Sequence, residues 1–210
     1  MDPEIFKPFG PSIVKISIPE DIIIEMNSFV EKIINDKEKL KENDEGHKLA
    51  GNVYQEFLLD TDFMKNIKWA NFLGLVCEKW VWREKAVKLK KFHIIKSWIV
   101  RQYKNEYNPT HWHNGHISGA GYLKVPKNLG KHYQDKQNRD YRGGNLQLIH
   151  GSKMFLSHST LNIVPEVGDF YFFPNYLMHT VFPFKDTDEE RRCISFNCKI
   201  DDELYNVYGG

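Results

Sequence analysis

The chain has 210 residues, of which 41% are hydrophobic and 14% aromatic, enough to bury one sizeable core and too apolar for a disordered tail. Its 29 lysines and arginines nearly cancel its 28 aspartates and glutamates, so no overall field draws it to nucleic acid or to a membrane surface, and a small or local partner is expected. Cys77, Cys193 and Cys198 are odd in number and lack CxxC spacing, which excludes a disulfide framework and a zinc knuckle and fits reduced, cytoplasmic surroundings. The acidic start at Asp2 and Glu4 has no signal-like apolar stretch, and no run of about 18 apolar residues follows, so no membrane segment is expected. Without a Gly/Ser/Pro-rich linker or a break in composition, residues 1–210 read as one domain.

The first third reads as helical. After Pro19, suited to a first helical turn, Ile22, Met26, Phe29, Val30 and Ile33 recur at spacings of three and four and predict an amphipathic helix to about Lys39. The charged stretch 35–48 reads as its solvated end and a loop. A second helix is expected from near Asp60 through Phe63, Ile67 and Phe72 towards Trp80. From Phe92 the texture changes to short β-rich runs, "FHIIKSWIVRQY", "HISGAGYLKV", "NLQLIH", "GDFYFFP", "HTVFPF" and "RCISFNCKI", separated by turn signals such as Asn-Pro and Gly-Gly. Such density predicts a sandwich or barrel of antiparallel sheets. The polar connection from Pro126 to Gly144 is long for a hairpin and reads as a candidate lid.

Residues 111–116, "HWHNGH", hold three of nine histidines. Asn108-Pro109 biases the approach towards an extended chain, where His111 and His113 share a face and can converge on one metal ion. His179, in a later β-like run, can supply a third nitrogen. Such a face with open positions suits iron, copper, nickel or zinc in a catalytic role. After Asn114-Gly115 the register can break, leaving His116 open as a ligand, a supporting group or a substrate contact. His47, His93, His132, His150 and His158 stand apart and read as ordinary surface or core histidines. Trp98 and Trp112 could wall a pocket, although simple packing is the commoner role of a buried tryptophan.

Twelve residues beyond His179 comes "RRCISFN", where Arg191, Cys193, Ser195 and Asn197 share one strand face and Ile194 and Phe196 the other. An arginine on the polar face of a core strand asks for an anion, and its planar fork suits a carboxylate. Tyr122, in "GAGYLK", could add a hydroxyl.

This set resembles the iron(II)- and 2-oxoglutarate-dependent dioxygenases, with the prolyl-hydroxylase-like branch nearest. The resemblance rests on the order His-x-(Asp or His), Tyr-Leu, distal His, Arg, over about residues 98–198. "HISGAGYLKVP" and "GDFYFFPNYLMHTVFPF" with "RRCISFN" are similar, more specifically, to a group of 2-oxoglutarate oxygenases often seen in marine bacteria and their phages. It implies a mainly β, α+β fold in which N-terminal helices, to about residue 90, brace a double-stranded β-helix, or jelly roll, over about 92–200. It further implies Fe(II) held by His111 and His179, and 2-oxoglutarate gripped by Arg191 with help from Tyr122, from Ser195 and, less securely, from Tyr103. The implied reaction hydroxylates a substrate with O2, releasing succinate and CO2; the substrate is a peptidyl side chain or a small molecule, and specificity falls to the 126–144 loop and the stretch around Glu106 and Tyr107.

Most members of that family carry His-x-Asp, and here His113 stands where the aspartate would be. His113 is the favoured third metal ligand; the alternatives are a two-histidine site completed by water or an anion, and a shifted strand that brings in Asn114 or His116. A cupin-type metal protein that ignores 2-oxoglutarate shares His-x-His and a later histidine, yet lacks the usual following glutamate and leaves Arg191 and Tyr122 unexplained. A nucleic-acid surface on "EKWVWREKAVKLKKFH" is the other rival; buried tryptophans with snorkelling lysines account for it more simply.

Overall fold

The computed structural model describes residues 10–46, 51–134 and 139–207. Strand β1 (Val14–Ser17) leads into helix α1 (Glu20–Ile34), which has Pro19 at its N-cap and Glu20 and Asp21 in its first turn, where the helix dipole favours acids. Its buried face is Ile22, Met26, Val30 and Ile33, as the spacing predicts. The helix stops at Ile34 instead of Lys39, because the Asp36 carboxylate accepts from Glu38 N and Lys39 N and caps a separate short helix, α2 (Lys37–Asn43). The charged stretch is therefore solvated, as expected, but helical where a loop was predicted; His47 lies outside the described residues.

After β2 (Gln55–Leu58), the second expected helix is two. Helix α3 (Thr61–Asn66) is capped by Asp60 through Phe63 N, and α4 (Trp69–Lys85) starts only after Lys68 turns the chain with φ 60°. Strands β3 (Phe92–Gln102), β4 (Asn108–His111), β5 (Ile117–Lys124), β6 (Leu146–Ile149), β7 (Thr160–Ile163), β8 (Asp169–Pro174), β9 (Met178–Val181) and β10 (Arg191–Ile200) follow, then a single turn of helix, α5 (Asp202–Tyr205). All six β-rich runs expected from sequence are strands; the four-residue strands β1, β2 and β7 were not expected.

Among the described residues every strand pairing is antiparallel. A six-stranded sheet, β1-β8-β5-β10-β3-β2, faces a four-stranded one, β4-β9-β6-β7, in the two-sheet arrangement of a jelly roll. The alternation along β10 divides the interior. Ile194 and Phe196 face outward with Phe170 and Phe172 and are covered by Met26, Val30, Trp69 and Leu73 of the helices. Each such side chain contributes about 1.5–3 kcal/mol by leaving water, which is what docks α1 and α4 on the sheet. Trp69 also donates from Nε1 to Ser97 Oγ at 3.0 Å. Cys193 faces inward and packs between the sheets with Tyr122, Leu148 and Phe173. A Cβ at Gly121 would collide with Phe170, so the glycines of β5 let aromatic rings lie directly on the strand. Among the described residues no helix is long and apolar enough to cross a membrane.

Candidate active site

Antiparallel pairing of β4 with β9 sets His111 directly opposite His179. His113 arrives differently. Strand β4 ends at His111, with an irregular register between Asn108 and His111, so the shared-strand-face argument does not place His113. The chain leaves the sheet after His111 and is caught by Asn175: His113 N donates to Asn175 O at 3.1 Å, and Asn175 Nδ2 donates to His113 O at 3.0 Å. Gly115, at φ 99°, then turns the chain into β5.

The three rings converge. His111, His113 and His179 each offer a ring nitrogen, and these atoms lie within 4.8 Å of one another. Two of the rings are oriented by the main chain: His111 Nδ1 lies 2.7 Å from Pro109 O, and His179 Nδ1 2.9 Å from Leu177 O. A carbonyl can only accept, so both Nδ1 atoms carry the proton and both Nε2 atoms present a lone pair to the centre. His113 Nε2 sits 3.2 Å from His179 Nε2, and its ring meets Trp98 edge-on at 5.6 Å. Burial, then the neighbouring His179 and His111, hold His113 down at about 3; burial and His111 hold His179 at about 4, and burial lowers His111 as well. At neutral pH the cluster is three uncharged nitrogen donors.

A cavity of about 240 Å³ runs from these rings to Arg191 between the sheets. Arg191 is 3% exposed, and among the described residues no carboxylate pairs with it. Its Nη1 donates to Gln102 Oε1 at 2.7 Å; its Nε and the buried hydroxyl of Tyr122 have no hydrogen-bond partner there. The Tyr122 ring lies 5.1 Å from the guanidinium carbon, and burial raises both the Tyr122 hydroxyl and the Cys193 thiol, keeping them protonated. Ser195 lines the same wall, and among the described residues no aspartate or glutamate lines the cavity. Neutral imidazoles at one end and a buried cation with idle donors at the other fit a divalent metal ion and a small dicarboxylate.

Other expected contributors lie elsewhere. His116 is stacked on Tyr205 at 4.0 Å, accepts from Ile200 N through Nδ1, and is a brace for α5 rather than part of the cluster. The Tyr103 hydroxyl accepts from Arg101 Nη2 at 2.6 Å, outside the cavity wall. Described residues of the 126–144 connection run along residues 182–189 through Lys127 N to Glu189, Lys185 N to Leu129 O and Gly144 N to Phe182 O; none lines the cavity, so they form no lid over it. Trp98 is both packed and part of the wall, whereas Trp112 is 63% exposed and neither. In the basic stretch Trp80 is tied to Ser12, but Trp82 is exposed. Gln102 and Asn175 were missed; Gln102 shares the period-two face of Trp98 and Val100, a signal that could have placed it in the wall.

Residues 96–197 match a family model described as "Putative 2OG-Fe(II) oxygenase". No curated protein matches the chain in sequence. Solved structures of similar fold include a Pseudomonas putida prolyl-4-hydroxylase, 12% identical, TM-score 0.58, covering 88% of this chain and 91% of that one. HygX from Streptomyces hygroscopicus, solved with nickel, 2-oxoglutarate and hygromycin B, is 11% identical, TM-score 0.56, covering 90% and 83%. A Trichoplax adhaerens prolyl hydroxylase, in complex with a hypoxia inducible factor peptide fragment, is 13% identical, TM-score 0.54, covering 94% and 87%. At such identities the likeness establishes the jelly-roll fold. The stretch that matches the family of 2-oxoglutarate- and iron(II)-dependent oxygenases, residues 96–197, spans the three histidines, Tyr122 and Arg191.

Proposed function

We propose that this oxygenase hydroxylates a peptidyl side chain or a small molecule, holding Fe(II) through His111, His113 and His179 and 2-oxoglutarate through Arg191, Tyr122 and Ser195. The observation that carries the reading is one cavity with three neutral imidazoles at one end and an arginine without a carboxylate partner at the other. Bound iron and 2-oxoglutarate would supply oxidation of a C–H bond by O2, with succinate and CO2 as co-products. Arg191 would fix the far carboxylate of the cosubstrate through its fork, and the protonated Tyr122 hydroxyl would donate to the same group. Trp98, Phe173 and Leu146 would keep water from the reacting end. Tyr103 has no place in this arrangement, its hydroxyl being held by Arg101.

The prolyl hydroxylases among the fold neighbours favour a peptidyl side chain as the substrate, and HygX, with its bound antibiotic, favours a small molecule. We further propose that residues 1–210 act as one domain in the cytoplasm, where the buried free thiols of Cys77, Cys193 and Cys198 would stay reduced. A metal protein that makes no use of 2-oxoglutarate would leave Arg191 and Tyr122 without an occupant.

The test is an anaerobic titration with Fe(II) and 2-oxoglutarate, following the weak visible charge-transfer band of the chelated keto acid. A band in the wild type that Arg191→Ala shifts to much higher 2-oxoglutarate concentration supports the reading. Iron binding with no band at any 2-oxoglutarate concentration would sink it.

A further inference from the structure

Among the described residues, the neighbouring arginines Arg101 and Arg192 have carboxylate partners and Arg191 has none. Arg192 and Arg101 both pair with Glu190, at 2.7 and 3.0 Å. Arg191 faces an uncharged amide instead. Antiparallel pairing of β10 with β3 sets Arg191 opposite Gln102, and Gln102 Oε1 accepts from Arg191 Nη1 at 2.7 Å.

The far end of that amide fixes its orientation. Gln102 Nε2 donates to the main-chain oxygen of Glu106 at 2.6 Å, and a carbonyl accepts only from the NH2 group. Flipping the amide would set donor against donor at Arg191 and acceptor against acceptor at Glu106, so the oxygen must face the guanidinium. The Glu106 carbonyl is itself held. Its carboxylate accepts from Tyr103 N at 2.9 Å and Tyr54 N at 2.8 Å, closing the turn after β3 and tying it to residues 51–54, which Asn52 and Tyr107 join again by two reciprocal 3.0 Å hydrogen bonds. The amide is therefore a rigid strut between a braced turn and the arginine.

A glutamate of the same shape would hold Arg191 equally well but cancel its charge; a glutamine aims the fork and leaves its full charge for a ligand. We propose that Gln102 is the positioning residue of the cosubstrate site: it aims Arg191 into the cavity without neutralising it, and thereby makes the deep end selective for a 2-oxo acid that carries a second carboxylate. The inference rests on the proposed function and deepens it.

The test needs no turnover. Protein loaded with Mn(II) is titrated calorimetrically with 2-oxoglutarate and with 2-oxobutyrate, which shares the chelating end but lacks the distal carboxylate. Wild type, Gln102→Ala and Gln102→Glu are compared, with Mn(II) affinity and melting temperature measured alongside. Losing one hydrogen bond to a charged group should weaken 2-oxoglutarate about tenfold in Gln102→Ala. Gln102→Glu, which keeps the contact to Arg191 as an ion pair but gives up the donor to the Glu106 carbonyl, should weaken it further. Binding of 2-oxobutyrate and Mn(II) should not change in either variant. If both 2-oxo acids weaken together, or if Gln102→Glu binds 2-oxoglutarate as the wild type does, Gln102 is merely structural and the inference is wrong. If the wild type itself does not prefer 2-oxoglutarate over 2-oxobutyrate, the fault lies with the assigned cosubstrate site rather than with Gln102.

Discussion

Arg191 and Arg192 stand back to back on β10, one turned into the cavity and the other out beneath α1. Arg192 donates to Glu190 at 2.7 and 3.0 Å, to Glu31 at 2.8 Å and to Asn27 Oδ1 at 3.0 Å, and so ties the first helix to the sheet. Consecutive residues of identical chemistry thus face a helix and a cavity, respectively, through strand parity alone.

Their substitutions should separate accordingly. Arg192→Leu breaks a buried ion-pair network and is expected to destabilise the fold by about 3 kcal/mol in denaturant unfolding. Arg191→Leu removes a buried charge that has no counter-ion, so stability should hold or rise, while 2-oxoglutarate affinity falls about a hundredfold. Equal losses of stability in the two variants would contradict this division.

Acid should act through Glu190. Burial opposes its ionisation, yet hydrogen bonds from Arg192 and Arg101 outweigh this and hold its carboxyl below the ordinary 4.5. A lowered folded value means that its stabilisation is present above the unfolded value and is lost as pH falls through the folded one. Unfolding midpoints should therefore drop below pH 4.5, and Glu190→Gln, weaker at neutral pH, should show a flatter decline. A variant whose midpoints fall in parallel with the wild type would show that other groups govern acid unfolding.

His113 should prove a true metal ligand. His113→Ala leaves two imidazoles and is expected to lower Fe(II) or Mn(II) affinity about tenfold or more, read by competition with a chelator. His113→Asp, which restores a carboxylate donor, should bind the cation at least as well and 2-oxoglutarate less well, because the added negative charge opposes the dianion. Unchanged metal affinity in His113→Ala would leave a two-histidine site.

His116→Ala should have the opposite profile. It loses the stack on Tyr205 and orphans Ile200 N, about 1–3 kcal/mol by denaturant unfolding, with metal affinity intact. Weakened metal binding in that variant would return His116 to the metal centre.

The β-core was readable from sequence because its long strands are rich in aromatic and β-branched residues, and Arg191 opens one of them; His111 and His179 stand in four-residue strands and were legible from the histidine pattern instead. Strands β1, β2 and β7 escaped because each is four residues long and lies outside the β-rich runs that revealed the equally short β6 and β9. Helix α2 was hidden by its charge, since it packs only the half-buried Leu40 on the core and is started by the Asp36 cap. Gln102 and Asn175 were invisible for another reason. Each works on a partner distant in sequence, Arg191 and His113 respectively, and only strand register and chain packing bring them together.

The three imidazoles are not mechanically equal. His111 and His179 stand in paired strands with their Nδ1 atoms fastened to carbonyls, whereas the segment holding His113 is fastened by its main chain to Asn175 and its ring merely leans on Trp98. The site is in this sense a vice with two fixed jaws and one compliant jaw. With a metal ion held there, a change in coordination number would be absorbed by a side-chain swing at His113, without breaking one rung of the β-ladder.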